Sequence, residues 1–247
     1  MTSAIDSGKL AGLDSQEKTE FMKKVYTLHC LSAGKQRNFV DELPKKELSR
    51  IEGRVEARTD AALACQRLLT AARNDLDRAK QSNSAKALLA KSIGVASGYR
   101  SAQRQFENWR QFFPRYYALT AAVREKLLDG QHGDAAAIYL SKYIAKRLAA
   151  PGFSLHNSGF AIDFETFEHG CALGPSKSQT RLWKQSWLFD WLKSNANKFG
   201  FNENKKIDEP WHWQFTAGVH MLECEQNVKD QEKKLKCAME KGDDYPL

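Results

Sequence analysis

The sequence predicts an α+β fold: a small antiparallel sheet with packed helices, plus a helical N-terminal extension. Three observations predict it. Apolar residues recur at helical spacing before about residue 80, short β-rich runs appear only from about residue 92, and helical segments lie between those runs. The 247 residues suffice for one substantial domain with a smaller helical appendage. With 42% hydrophobic and 28% charged residues the chain can build a core, which excludes a disordered or fibrous protein.

Residues 1–88 form the extension in this reading. QEKTEFMKKVYTLHC (16–30) suits a helix, and Pro44 in ELPKK breaks it. Beyond the break Leu48, Ile51, Val55, Ala62, Cys65, Leu69, Ala72, Leu76 and Ala79 draw an apolar stripe that predicts one long amphipathic helix, interrupted at Arg58 and Thr59. Such a helix packs against a partner, and residues 16–30 are the candidate. This region serves either as a scaffold or lid or as a module that recognises the target surface, and its helices also offer a site for a protein partner.

Residues 89–220 form the main domain. IGVASGYRS (93–101) reads as a short strand ending at a glycine turn, followed by helices in SAQRQFENWRQFFPRYYALTAAVREKLL and in DAAAIYLSKYIAKRLA, the latter with Asp134 as candidate N-cap. The aromatic residues Phe106, Trp109, Phe112, Phe113, Tyr116 and Tyr117 at helical spacing are core material first. PGFSLHNSGFAIDFETF carries the alternation Phe160, Ile162, Phe164 of a strand. TRLWKQSWLFDWLKSNANKFG is a helix ending at Gly200, and IDEPWHWQF a last short strand. Residues 221–247 read as a charged helical tail.

The net charge of +8 favours polyanionic partners without selecting one: nucleic acid, an acidic membrane face or an anionic wall polymer all qualify. No recognised nucleic-acid module accompanies the charge, so nucleic acid is not expected. No apolar run reaches membrane-spanning length, and the first residues carry no recognisable signal peptide. The five cysteines, Cys30, Cys65, Cys171, Cys224 and Cys237, form no CxxC pair and so no zinc knuckle. Reduced core thiols are expected, with a Cys224–Cys237 bridge as the alternative.

The chemistry concentrates in two short stretches. A catalytic zinc takes three ligands from imidazole, carboxylate or thiolate and keeps a position for water. Six histidines limit the choice. In SLHNSGFAID, His156 and Asp163 stand seven apart with Ser158 and Gly159 between them, which lets the chain turn and bring both side chains together. In EPWHW, Glu209 precedes His212 by three residues. Each fragment alone is weak, since a histidine between tryptophans is more often a packed core residue than a ligand. Their joint occurrence carries more.

Read as S-x-H-x-x-G-x-A-x-D, residues Ser154, His156, Gly159, Ala161 and Asp163 resemble the metal-binding signature of the zinc D-alanyl-D-alanine carboxypeptidase family of VanY and VanX type. Glu209, His212 and Trp213 are similar to its E-x-x-H-W element. Ser97, Gly98, Tyr99, Arg100, Ser101 and Gln105 are similar to its S-G-Y-R-S-x-x-x-Q element. The three motifs occur in the family's order across roughly residues 92–216, about half of the chain.

The resemblance implies the fold of that family, shared with the Hedgehog signalling domain, and a zinc ion held by His156, Asp163 and His212. It implies Glu209 as the base that activates water. Arg100 would stabilise the oxyanion or grip a substrate carboxylate. Ser154, Tyr99 and Gln105 would position substrate or the metal ligands, and Trp211 and Trp213 would wall the pocket, unless one is pure core. His29, His132, His169 and His220 receive no catalytic role, although His169 lies near enough in sequence to Asp163 to approach the cleft.

The implied substrate is the stem peptide of bacterial peptidoglycan, cut by D,D-carboxypeptidase or D,D-endopeptidase action, or both, on the cell wall in a periplasmic or extracellular setting. A lysin or delivered toxin cleaving another stem-peptide bond, such as L-Ala-D-Glu, is one alternative, and a non-catalytic wall-binding or signalling protein on the zinc fold is another.

Overall fold

A computed structural model describes residues 14–205 and 207–217. In chain order the elements are α1 (Gln16–Gly34), β1 (Leu48–Glu52), β2 (Val55–Arg58), α2 (Thr59–Gln81), α3 (Ala85–Leu89), β3 (Ser92–Ser97), α4 (Ala102–Leu119), α5 (Ala121–Arg124) and α6 (Asp134–Ala145). There follow β4 (Ala161–Glu168), β5 (Cys171–Leu173), α7 (Thr180–Trp183), α8 (Trp187–Asn195), β6 (Phe201–Glu203) and β7 (His212–Phe215). The fold is α+β, with antiparallel strands and separate helices. Among the described residues no helix is long and apolar enough to cross a membrane. The expected tail, His220 and the Cys224–Cys237 bridge lie outside the described residues.

The helix expected from residue 48 begins only at Thr59. Leu48–Glu52 and Val55–Arg58 instead pair as a hairpin. Gly53 at its tip has φ +53, a left-handed conformation that L side chains avoid. The spacing of Leu48, Ile51 and Val55 fits a helix, but two β-branched residues flanking such a turn suit strands better. Arg58 and Thr59, which break the stripe in the sequence, mark the junction.

Two compact units share the chain, one gathering Met1–Ser49 with Gly98–Gly159 and the other Arg50–Ser97 with Phe160–Leu247, each taken over its described residues. The first is helical. α1 packs against α6, and α4 against α6 as well, so the partner foreseen for α1 is replaced. Phe21, Val25 and Tyr26 meet Phe106, Trp109, Phe113, Leu140 and Ile144 in its core. Gly133, rather than Asp134, occupies the cap position of α6, where the Asp129 carboxylate accepts the Ala135 N–H at 2.8 Å.

His29 sits within this core and accepts the Trp109 indole N–H on Nδ1 at 3.1 Å. Only a neutral ring can accept there, and burial pushes its pKa down to about 4 from the ordinary 6.5. Between those values the unfolded chain binds a proton that the native state refuses, so falling pH favours unfolding. The stability is complete above pH 6.5 and is lost as pH drops toward 4, by about 3 kcal/mol. Urea midpoints measured from pH 7 to pH 4 are expected to fall more steeply for the native sequence than for His29→Leu. Parallel curves would refute this.

The second unit holds the sheet, ordered β3-β4-β7-β6 with β5 also paired to β4, all antiparallel. Buried Ala61, Ala62, Cys65, Leu68, Leu69, Ala72 and Leu76 form the inner stripe of α2 and share a core with Phe160, Ile162, Phe164, Trp183, Leu188 and Phe201. β4 is buried through most of its length, which makes it the rigid centre of the sheet. At its far end buried Glu168 accepts the Trp187 and Leu188 N–H groups at 2.7 and 3.2 Å, while Ser186 takes that of Phe189. These bonds satisfy the otherwise orphaned first-turn donors of α8. The helix expected over 180–200 is thus divided at Ser186 and ends in a left-handed Gly200.

Candidate metal centre

Asp163 lies near the start of β4 and His212 at the start of β7, and the antiparallel register sets them directly opposite one another. Opposed residues put their side chains on the same face of a sheet at close range. Asp163 Oδ1 and His212 Nδ1 are 3.0 Å apart, both buried, while Gln214 Nε2 faces His212 Nε2 at 3.5 Å.

His156 is supplied by a turn that the SLHN residues tie together. Ser154 Oγ accepts the His156 N–H at 3.2 Å, Asn157 Oδ1 accepts the Ser154 N–H at 2.9 Å, and Gly159 follows at φ +73. The SGYR segment locks onto this turn. Arg100 N–H donates to the His156 carbonyl at 3.0 Å, and the wholly buried Asn157 amide donates to the Arg100 carbonyl at 2.7 Å. His156 Nδ1 donates to the Gly98 carbonyl at 2.7 Å, which makes Nε2 the lone-pair nitrogen.

Among the described residues His156, Asp163 and His212 each offer one ligand atom, and these atoms all lie within 4.8 Å of one another. A tetrahedral zinc ion with ligand distances of about 2.0–2.2 Å holds its donors roughly 3.3–3.6 Å apart. Donor atoms that all lie within 4.8 Å of one another, with one pair at 3.0 Å, are compatible with that requirement. Two imidazoles and a carboxylate are also a donor set that zinc accepts, so the residues fit the ion.

The other residues predicted from sequence divide by their contacts. The turn His212 N–H to Glu209 carbonyl, 2.9 Å, keeps Glu209 beside His212 along the chain. The Glu209 carboxylate is half-buried and pairs with Lys177 Nζ at 3.1 Å; Lys177 also donates to the Asp208 carbonyl at 2.9 Å and lies 5.8 Å from the Trp211 ring. Arg100 Nη1 donates to Gln105 Oε1 at 2.7 Å, and buried Gln105 in turn donates to the Ala149 carbonyl. The Tyr99 hydroxyl accepts the Leu43 N–H at 2.9 Å, and burial raises its pKa. Trp211 and Trp213 are both buried in the core of the sheet unit, with Trp213 Nε1 bonded to the Pro210 carbonyl.

His169 stays away from the cluster. It occupies the exposed β4–β5 turn at φ +53, six residues along the strand from Asp163 and so about 20 Å distant. His132 pairs with Glu17 and Tyr117 instead. Three neighbours were missed in the sequence: Asn157, Gln214 and Lys177. Gln214 was findable, because position i+2 from His212 on a strand shares its face. Lys177 had no local signal.

Fold and donor set together define an α+β protein with a mixed histidine and carboxylate cluster seated largely on adjacent sheet strands. The sequence profile of the VanY family, D-alanyl-D-alanine carboxypeptidase, matches residues 56–218, and this chain belongs to that family. No curated protein sequence matches it detectably. Similar solved structures include a vancomycin-resistance D,D-pentapeptidase VanY from a VanB-type cassette in complex with Zn(II), at 20% identity and TM-score 0.44, covering 74% of this chain and 90% of that one. VanYB in complex with D-alanine-D-alanine is similar at 21% identity and TM-score 0.44, with coverage of 73% and 88%. The LdcB LD-carboxypeptidase is similar at 21% and 0.44, with coverage of 76% and 81%.

Proposed function

We propose that the protein is a zinc-dependent peptidase that hydrolyses peptidoglycan stem peptides, by D,D-carboxypeptidase or D,D-endopeptidase action. The observation that carries this reading is the cluster of His156, Asp163 and His212, with Glu209 three residues before the last of them. Membership of the D-alanyl-D-alanine carboxypeptidase family supports the substrate class.

A zinc ion held by these three residues supplies a water of lowered pKa and a Lewis acid for the scissile carbonyl. Glu209 accepts the proton of the attacking water on its carboxylate and returns it to the leaving amine. Lys177 holds that carboxylate in place through the ion pair, a positioning task. Arg100, oriented by Gln105, presents a guanidinium to the developing oxyanion or to a carboxylate of the substrate. Ser154 and Asn157 act one step back by fixing the turn that carries His156. Tyr99 does the same for the segment before it, through Leu43.

Mass analysis of products from purified monomeric and cross-linked muropeptides tests the reading. Loss of one D-alanine from monomers identifies a carboxypeptidase, and separation of cross-linked dimers an endopeptidase. The absence of any new product from either substrate with zinc-loaded protein would refute the proposal.

A further inference from the structure

Gln214 follows His212 by two residues on β7, and alternate residues of a strand share a face, so both side chains lie on one side of the sheet. Cross-strand pairing puts Ala161 of β4 on one flank of Gln214 and Asn202 of β6 on the other. Ala161 offers only a methyl group, and the Asn202 amide donates to the Thr216 hydroxyl at 2.7 Å. The half-buried Gln214 side chain runs back along its own strand and brings its amide to His212 Nε2 at 3.5 Å, the long end of hydrogen-bond range. The proposed catalytic steps make no use of this residue.

His212 is thus contacted at both ring nitrogens, Nδ1 by the Asp163 carboxylate at 3.0 Å and Nε2 by Gln214. A neutral imidazole carries one proton, so one nitrogen donates and the other keeps a lone pair. The nitrogen that points at Asp163 is the one placed to share a cation with that carboxylate. A cation there takes the Nδ1 lone pair, and the ring proton then belongs on Nε2, where it needs an acceptor. The Gln214 amide supplies one. Half a turn about its last side-chain bond exchanges Nε2 for the carbonyl Oε1, and that torsion is broad and roughly two-fold. His156 shows the same arrangement from a different source, since its Nδ1 donates to the Gly98 carbonyl at 2.7 Å and leaves Nε2 for a metal.

We propose that Gln214 is a positioning residue of the metal centre: its amide oxygen accepts the His212 Nε2–H and so holds the ring in the tautomer and orientation that turn Nδ1 to the ion. The inference rests on the zinc reading of His156, Asp163 and His212. Without that acceptor the ring also populates the tautomer and the orientations that present the wrong nitrogen, and each of these lowers affinity. The same hydrogen bond makes Nδ1 a more basic ligand. Gln214 touches no reacting atom, so its effect is read in zinc affinity before it is read in turnover.

The test uses the full chain, stripped of metal and titrated with zinc chloride in competition with a chromophoric chelator. Gln214→Met keeps the length of the side chain and removes the acceptor, whereas Gln214→Glu keeps the shape and an acceptor oxygen. The methionine variant is expected to bind zinc about 10–100-fold more weakly than the native protein, the usual worth of a partner to a metal-bound histidine. The glutamate variant is expected to bind at least as tightly as native, because a carboxylate accepts the same proton more strongly. The zinc-free melting temperature of Gln214→Met is expected to match the native value, which separates lost affinity from lost fold. Equal affinity of the methionine variant and the native protein would overturn the proposal. An affinity of Gln214→Glu below native would overturn it as well, and that comparison decides by itself if the methionine chain folds poorly. Native protein that takes up no zinc would remove the metal reading and this inference with it, so the native titration tells the two failures apart.

Discussion

Replacing Glu209 with alanine is expected to lower stem-peptide turnover by about 10²–10⁴-fold, the usual worth of a general base, with zinc content unchanged. The two halves of this expectation have separate causes. Turnover would fall, on the proposed reading, because the attacking water loses its proton acceptor and the leaving amine its donor. Zinc stays because the donor cluster consists of His156, Asp163 and His212 and does not include Glu209. The lost ion pair with Lys177 is partly exposed on both sides and contributes little to stability, so the fold should persist. Turnover on a soluble muropeptide and metal analysis of the same sample check the outcome. Unchanged turnover would take away the role given to Glu209, and loss of zinc would reassign it to the metal.

Replacing Asp163 with alanine should abolish turnover by a different route, through the metal itself. Asp163 faces His212 across the strand register, so on the proposed reading its removal would leave only the two imidazoles as donors. Zinc affinity should fall by more than about 100-fold, since changing only a hydrogen-bond partner of a ligand costs 10–100-fold. A readout independent of activity is available, because an ion that binds the native state raises its stability by mass action. Titrating zinc into metal-free native protein should raise the melting temperature, while Asp163→Ala should melt at the same temperature with or without zinc. A zinc-dependent rise as large in the variant as in the native protein, at the same zinc concentration, would exclude Asp163 as a ligand.

Much of the sheet unit was legible. The alternation around Ile162, the glycine closing the helix before β6 and the apolar stripe of α2 beyond Thr59 each reflect a local periodicity or backbone preference, and each has its counterpart in the fold. Failures came where local signals were short or conflicting. β5 and β6 span three residues apiece, too few for alternation to register. Residues 48–58 satisfy a helical spacing and a hairpin at once, and only the turn at Gly53 decides between them. The helix over 180–200 divides because Glu168, distant in sequence, caps a new start at Trp187.

For the candidate centre, the sequence alone determined the inventory: which imidazoles and carboxylates exist, their order along the chain, and the turn-forming glycine and serine beside His156. Those are properties of residue type and near spacing. Tertiary structure decided the rest. It opposes Asp163 to His212 by strand register, aims His156 by a bond to the Gly98 carbonyl, brings Lys177 to Glu209, and buries Trp211 and Trp213 in the core. All of these join residues through pairing across a sheet or packing between distant segments, and the energy of such contacts depends on partners that local spacing does not specify.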